Sequence, residues 1–143
     1  MTKAELLVFL RSHRLAVVAS VDPAGAPAAA VVGFGVSDKF EVIFDTLSTT
    51  RKATNWRSNN KAAAVIGWDD EVTVQINGIA DEPQREELGP LTEVYFTAWP
   101  ECRTHQAWAN ITYFRIRPTW LRLSDYRPDG HGITEWTAAE LAI

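Results

Sequence analysis

The sequence predicts a mainly β protein, an antiparallel β-barrel with a few helices packed against its outside. Three observations carry this. About seven short segments are rich in Val, Ile, Phe, Thr and Tyr, and several alternate apolar with polar residues. Their order is helix, three strands, helix, two strands, helix, two strands, without the regular strand–helix alternation of a doubly wound parallel sheet. Closure into a barrel would also remove the exposed edges that so many short strands otherwise present. At 143 residues and 46% hydrophobic content, the chain reads as one domain, residues 1–143, with enough apolar material for a core.

The chain opens with a helix, because Thr2 and Glu5 have capping-box spacing before Leu6, Leu7, Phe9 and Leu10. "LAVVASV" (15–21) and "AAAVVGFGV" (28–36) read as strands, and the Pro and Gly of "DPAGAP" between them make the pair a hairpin. "FEVIFDT" places Phe40, Val42 and Phe44 on one face of a third strand. A polar helical segment covers about 49–59, followed by the strands "KAAAVIGW" and "EVTVQINGIA" around a tight "DD". In the second of these, Val72, Val74 and Ile76 oppose Thr73, Gln75 and Asn77. Leu91, Val94, Tyr95 and Ala98 have helical spacing behind Pro90, and "WPECRTHQAW" reads as a loop or broken helix. "ITYFRIR" and "TWLRLSD" are two final strands joined at Pro118, with Tyr113, Arg115 and Arg117 opposite Thr112, Phe114 and Ile116. The tail "TAAELAI" carries a second capping box, Thr137 and Glu140, and is expected to end in a short helix.

The formal net charge of −4 argues against a nucleic-acid or anionic-membrane binder. The single cysteine excludes an internal disulfide and a thiolate cluster, which fits a reducing compartment. No apolar run approaches the ~20 residues of a membrane span, and the amphipathic start does not resemble a signal peptide. A cytoplasmic location is therefore expected.

The local charge is informative. From Thr46 to Trp68 the chain carries Arg51, Lys52, Arg57 and Lys61 and no acid. In "DTLSTTRKATNW" three hydroxyl residues run into two cations where a strand gives way to a helix. A helix start offers free backbone N–H groups and a positive dipole end, so a phosphate there would gain those donors, hydroxyls and cations together. Alternatively, Ser48 or Thr49 is an N-cap and the cations are solvated; the local sequence fits both readings. Cations in a first turn oppose the dipole, however, so capping alone explains Arg51 and Lys52 poorly.

Other candidates carry less. His13, His105 and His131 are scattered, so a metal site is not expected. Cys102 and His105 lack a third orienting residue and read as surface positions. Of the six tryptophans, Trp99, Trp108 and Trp120 are candidates to stack on a planar cofactor. "GFG" lacks the third glycine of a dinucleotide fingerprint.

Taken in order, the N-terminal helix, "LAVVASVDPAGAPAAAVVGF", "FEVIFDT" with "TTRKATNW", "NNKAAAVIGW", "EVTVQINGIADE", "YFTAWPE" and "ITYFRIRPTWLRLSDY" resemble the pyridoxamine 5'-phosphate oxidase-like family, and in particular its small members. Each motif is loose; their order and spacing over nearly the whole chain carry the likeness. The resemblance implies an antiparallel split β-barrel of FMN-binding type and a homodimer with cofactor sites at the subunit interface. It also implies an FMN-dependent oxidoreductase acting on a small-molecule substrate, with NAD(P)H as an electron donor to consider. Within it, the strand 29–33, here represented by Val31, offers backbone to the isoalloxazine ring. Thr46, Ser48, Arg51 and Lys52 hold the phosphate, and Thr73 or Gln75 adds a polar group. Trp99, Trp120 and Arg122 close the site, with the second subunit as one source. No catalytic side chain is implied. Similar split barrels use F420 or haem instead, and a flavin-binding module without turnover is a further alternative. The oxidase proper ends in an Arg-rich motif where this chain has "LRLSDYRPDGHG", so the resemblance does not extend to vitamin B6 oxidation.

Overall fold

The computed structural model describes residues 1–142. Helix α1 (Lys3–Arg11) starts at the expected capping box, with Glu5 N donating to Thr2 Oγ1 at 3.1 Å and Thr2 N donating to Glu5 Oε2 at 2.7 Å. Strands β1 (Leu15–Val21) and β2 (Pro27–Gly33) form the expected antiparallel hairpin. The segment read as one strand over 28–36 is broken at Phe34: β2 ends at Gly33, and a separate β3 (Gly35–Val36) pairs with β4 (Val42–Leu47). Helix α2 (Arg51–Ser58), β5 (Lys61–Ile66), β6 (Val72–Asp81) and helix α3 (Leu88–Ala98) follow. A 3-10 stretch, Pro100–Ala107, leads to β7 (Ile111–Asp125), then β8 (Gly132–Thr137) and α4 (Ala138–Leu141). The tail helix keeps its capping box, while Ile143 lies outside the described residues. No helix among the described residues is long and apolar enough to cross a membrane.

All eight strands belong to one antiparallel sheet, in the order β2-β1-β5-β6-β7-β4-β3, with β8 also paired to β7. Its two ends, β2 and β3, are joined through a single residue, Phe34. A sheet whose opposite edges are one residue apart along the chain must curl round on itself, and it does so as a half-barrel with flanking helices. Hydrogen bonds do not close the expected barrel, because β2 and β3 succeed one another along the chain and do not lie side by side. Phe34 is buried, and the glycines beside it make the corner possible. A Cβ on Gly33 would stand 2.6 Å from the Trp99 ring, and one on Gly35 would stand 2.6 Å from the Val94 carbonyl oxygen of α3. "GFG" is therefore a packing corner.

The two faces of β4 explain the layers. Phe44 faces inward against Trp56 of α2, which in turn meets Phe114 of β7, at centroid distances of 5.7 and 5.2 Å. Helix α2 is fixed there by a buried bond from Asn55 Nδ2 to Ser20 Oγ on β1. Ile43 and Asp45 face the other way, beneath α3, where Tyr113 packs on Tyr95 and Phe96. The alternation puts Tyr113 and Arg115 opposite the apolar face, and both are buried there under this second layer. Arg115 can be buried because Asp81 accepts from its Nε and Nη2 at 3.0 and 2.7 Å, a bidentate pair.

Two further expectations change. "ITYFRIR" and "TWLRLSD" are one 15-residue strand, and Pro118 does not break it. Proline has no N–H to donate, and the ladder absorbs this with a register shift opposite Asn77 and Gly78, leaving Thr119 as the extra residue. Strand β8 has no clear signal in the sequence: "GITEWT" offers few apolar residues, and among the described residues it pairs with β7 alone. The loop that delivers it wraps round buried Asp125, which accepts from Arg127 Nε and Nη2 at 2.9 and 2.8 Å and from His131 N at 3.0 Å.

Gly35→Ala is expected to lower stability by roughly 1–3 kcal/mol by forcing α3 off the corner; the urea midpoint would move down, and an unchanged midpoint would mean the corner is loose. The Arg127 guanidinium, and next the His131 N–H, hold the Asp125 carboxyl well below the usual carboxylate range. A group depressed in the folded state contributes stability above its unfolded value of ~3.9 and loses that contribution as pH falls further. Asp125→Asn should therefore be less stable at neutral pH, and its stability should fall less steeply than that of the wild type below about pH 4.

Candidate cofactor site

The junction of β4 and α2 is built from hydroxyls. Thr50, not Ser48 or Thr49, is the N-cap: its Oγ1 accepts from Ala53 N at 3.4 Å and donates to the Leu47 carbonyl at 3.0 Å. The buried Thr46 hydroxyl sits 3.0 Å from that of Thr50. Ser48 donates its N–H to the Asn110 carbonyl, and its own carbonyl accepts from Arg57 Nη1 at 2.9 Å.

Of the four cations read from the sequence, Arg57 is committed elsewhere, pairing with both oxygens of Glu82 at 2.6 and 2.7 Å. Lys61 starts β5 and lines a different cavity, so Arg51 and Lys52 remain. With Ser20 and the β2 residues 27–30 they line a cavity of about 290 Å³, with no carboxylate among the described residues that line it. Burial pulls Lys52 below its ordinary lysine value, opposed by the charge of Asp45. A half-buried ammonium with no carboxylate on the cavity wall favours an anionic guest. Asp45 itself turns away from this cavity and binds His105 Nδ1 at 2.6 Å on the α3 side of β4.

Strand β2 is a sheet edge, so half of its backbone hydrogen-bonding groups face outward, and Ala28, Ala29 and Ala30 leave them open to a ligand. Gly33, five residues from Ala28 and thus ~17 Å away along the strand, touches Trp99. Arg14 covers the Trp99 ring at 3.7 Å, and the Trp99 indole N–H is buried with no partner. The edge between Lys52 and Trp99 thus offers cations at one end, open backbone along its length, and an unused donor at the other.

The remaining candidate residues lie on the outward face of the sheet. Register places Val31, Val17, Val65, Gln75, Arg122 and Glu135 in one row across six strands. Trp120 lies in the next row, opposite Asn77, and Thr73 in the row beyond Gln75, opposite Ser124. Val31 is 61% exposed. Glu135 accepts from Trp120 Nε1 at 3.2 Å and from Arg122 Nε at 2.9 Å. Strands β6 and β7 are three and four places from β2, ~14 and ~19 Å along the sheet. Thr73, Gln75, Trp120 and Arg122 are therefore not gathered with Arg51 and Lys52 within one copy of the chain.

Cys102 and His105 correct the reading of them as surface positions. Cys102 is buried, His105 is half-buried and stacks on Trp108 at 3.9 Å, and Asp45 supplies the orienting carboxylate that their local sequence lacks. Sixty residues separate Asp45 from His105, so no local pattern could reveal the pairing.

The sequence matches the pyridoxamine 5'-phosphate oxidase family over residues 2–125, and the chain belongs to that family. No curated protein matches the sequence. Solved structures share the fold at low identity. A haem-binding protein from Mycobacterium smegmatis is 16% identical with a TM-score of 0.83; 99% of this chain aligns, spanning 60% of that protein's length. The haem storage protein HutZ from Vibrio cholerae is 16% identical with a TM-score of 0.70, covering 80% of this chain and 88% of that one. A pyridoxamine 5'-phosphate oxidase-related, FMN-binding protein from Nostoc punctiforme is 15% identical with a TM-score of 0.66, covering 94% and 93%. At these identities the likeness establishes the split-barrel fold, within which structural neighbours bind either FMN or haem.

Proposed function

We propose that the protein is a cytoplasmic FMN-dependent oxidoreductase that binds its flavin along the β2 edge of a homodimer. The observation that carries this reading is the pair Arg51 and Lys52, free of carboxylates in a cavity against an open strand edge. Arg51 and Lys52 are suited to a phosphate, the β2 backbone to the polar rim of a flavin ring, and the unpartnered Trp99 N–H to an acceptor beyond it. Bound FMN supplies hydride and electron transfer, and the chain's own residues hold and orient it.

Haem fits this cavity less well. An iron porphyrin takes an axial His, Cys, Met or Tyr, and none of the described residues lining the cavity is of those types. The outward row of Val31, Val17 and Val65 supports a second copy of the chain as the cover, and brings a partner's Trp120, Arg122 and Gln75 or Thr73 into play where one subunit's own cannot reach.

The purified protein should be yellow or should take up added FMN, and light scattering should report two copies. Arg51→Ala with Lys52→Ala removes two charge-assisted contacts of roughly 1.5–3 kcal/mol each, so FMN affinity should fall roughly 100- to 10,000-fold with the fold retained. Unchanged affinity would move the phosphate elsewhere, and haem or F420 as the released ligand would overturn the flavin reading. Reduction of the bound flavin by NADH or NADPH distinguishes an oxidoreductase from a carrier; a flavin that neither reduces would remove the enzymatic part of the proposal.

A further inference from the structure

A second polar cluster lies on the α3 side of β4, opposite the face that meets α2. Cys102 and His105 are three residues apart in the 3-10 stretch, a spacing that eclipses side chains on one side of such a helix. That side faces Asp45. One donor atom from each of Asp45, Cys102 and His105 lies within 4.8 Å of the other two. Cys102 is 6% exposed, and the Asp45 and His105 side chains are 15% and 23% exposed.

Tyr113 is an independent pointer to a missing guest. It stands directly opposite Asp45 in the β4–β7 register, so both side chains leave the sheet on the same face. It is 7% exposed, and its hydroxyl has no hydrogen-bond partner among the described residues. A buried hydroxyl left unpaired costs free energy unless a water or ligand completes it. Tyr113 also lines a surface cavity of about 350 Å³ with Leu88 and Gln106, whose lining includes none of the three donors.

We propose that Asp45, Cys102 and His105 form a binding site for a divalent transition metal of the zinc type, with a water in the fourth position held by Tyr113. The donor set is one sulfur, one nitrogen and one oxygen, which suits zinc and its neighbours; magnesium and calcium take oxygen ligands. Carboxylate and thiolate together neutralise the dication, which a half-buried pocket favours. From the usual zinc bond lengths, tetrahedral ligand atoms stand ~3.3–3.7 Å apart, so the three donors need shift by only about 1 Å. The 2.6 Å bond between Asp45 and His105 is the metal-free form. On binding, the metal takes the place of the proton between them, His105 carries its proton on the other ring nitrogen, and Cys102 releases its thiol proton as the metal–sulfur bond forms.

Cobalt(II) tests this directly. Cys102 is the chain's only cysteine, so a thiolate-to-cobalt absorption band in the wild-type protein reports it without any variant. The metal-stripped, flavin-free protein should take up one equivalent of cobalt(II) with that band and with visible bands of tetrahedral intensity. Equimolar zinc should bleach both and raise the melting temperature. Cys102→Ser should lose the thiolate band, and Arg51→Ala with Lys52→Ala should keep it, which separates this site from the flavin reading. A folded wild-type protein with no thiolate band and no melting shift on adding either metal would overturn the proposal, as would an unchanged cobalt spectrum in Cys102→Ser.

Discussion

The corner Gly33-Phe34-Gly35 is the constraint on which the rest depends. It joins the two ends of an eight-stranded sheet through one residue, and so the sheet has to curl. Phe34 goes inward as the chain crosses from one edge to the other. The two hydrogen-only positions let Trp99 and the α3 backbone approach to distances that a methyl group would forbid. The same corner therefore fixes where α3 docks, and with it the layer covering Ile43, Asp45, Tyr113 and Arg115. It also ends β2 against Trp99, which delimits the open edge next to Arg51 and Lys52.

Strand β4 divides the molecule chemically because successive side chains leave it on opposite faces. Thr46 faces α2, its hydroxyl against that of Thr50; Asp45, its neighbour, faces the 3-10 stretch. The pleat resolves the tension in placing a carboxylate next to an anion site. Asp45 acts on Lys52 only at a distance, as a secondary influence behind burial, while His105 takes its hydrogen bond. One residue's shift in register would exchange the two, putting the carboxylate among the cations and the hydroxyl beside the imidazole.

Much of this was legible where the physics is local. The capping boxes at Thr2 and Thr137, the β1–β2 hairpin and the alternation of β6 follow from residues a few positions apart, and the structure has them all. The excess of cations at the start of α2 was visible as a conflict with the helix dipole. The break at Phe34 was not, because "AAAVVGFGV" is uniformly strand-like and only the demand to span both sheet edges divides it. Pro118 misled for the converse reason: its local signal is a break, yet a bulge at Thr119 lets a long ladder run through it. Tyr113 and Arg115 looked solvent-facing because alternation assumes a sheet with one wet face, and α3 covers that face here. The group of Asp45, Cys102 and His105 depends on a contact across sixty residues, which no spacing rule reaches.

The open edge of β2 links the proposed cofactor to the proposed dimer. An exposed strand edge with apolar residues such as Val31 is a hazard, normally blunted by charge, proline or a covering element. Within the strand this chain has only Pro27 at one end, and it keeps three alanines in a row where a bulky or charged residue would protect the edge. Small side chains there are poor protection but good access, since they let a ligand reach the backbone. The liability is tolerable if the edge is rarely bare. A planar ligand would satisfy the backbone groups, and a second subunit laid over the valine row would shield the apolar surface. Each would then complete the other's site, with the cations of one subunit facing the Trp120–Arg122 pair of its partner. On that view cofactor binding and dimer formation are coupled through one strand, and weakening the phosphate grip should loosen the subunits as well as the flavin.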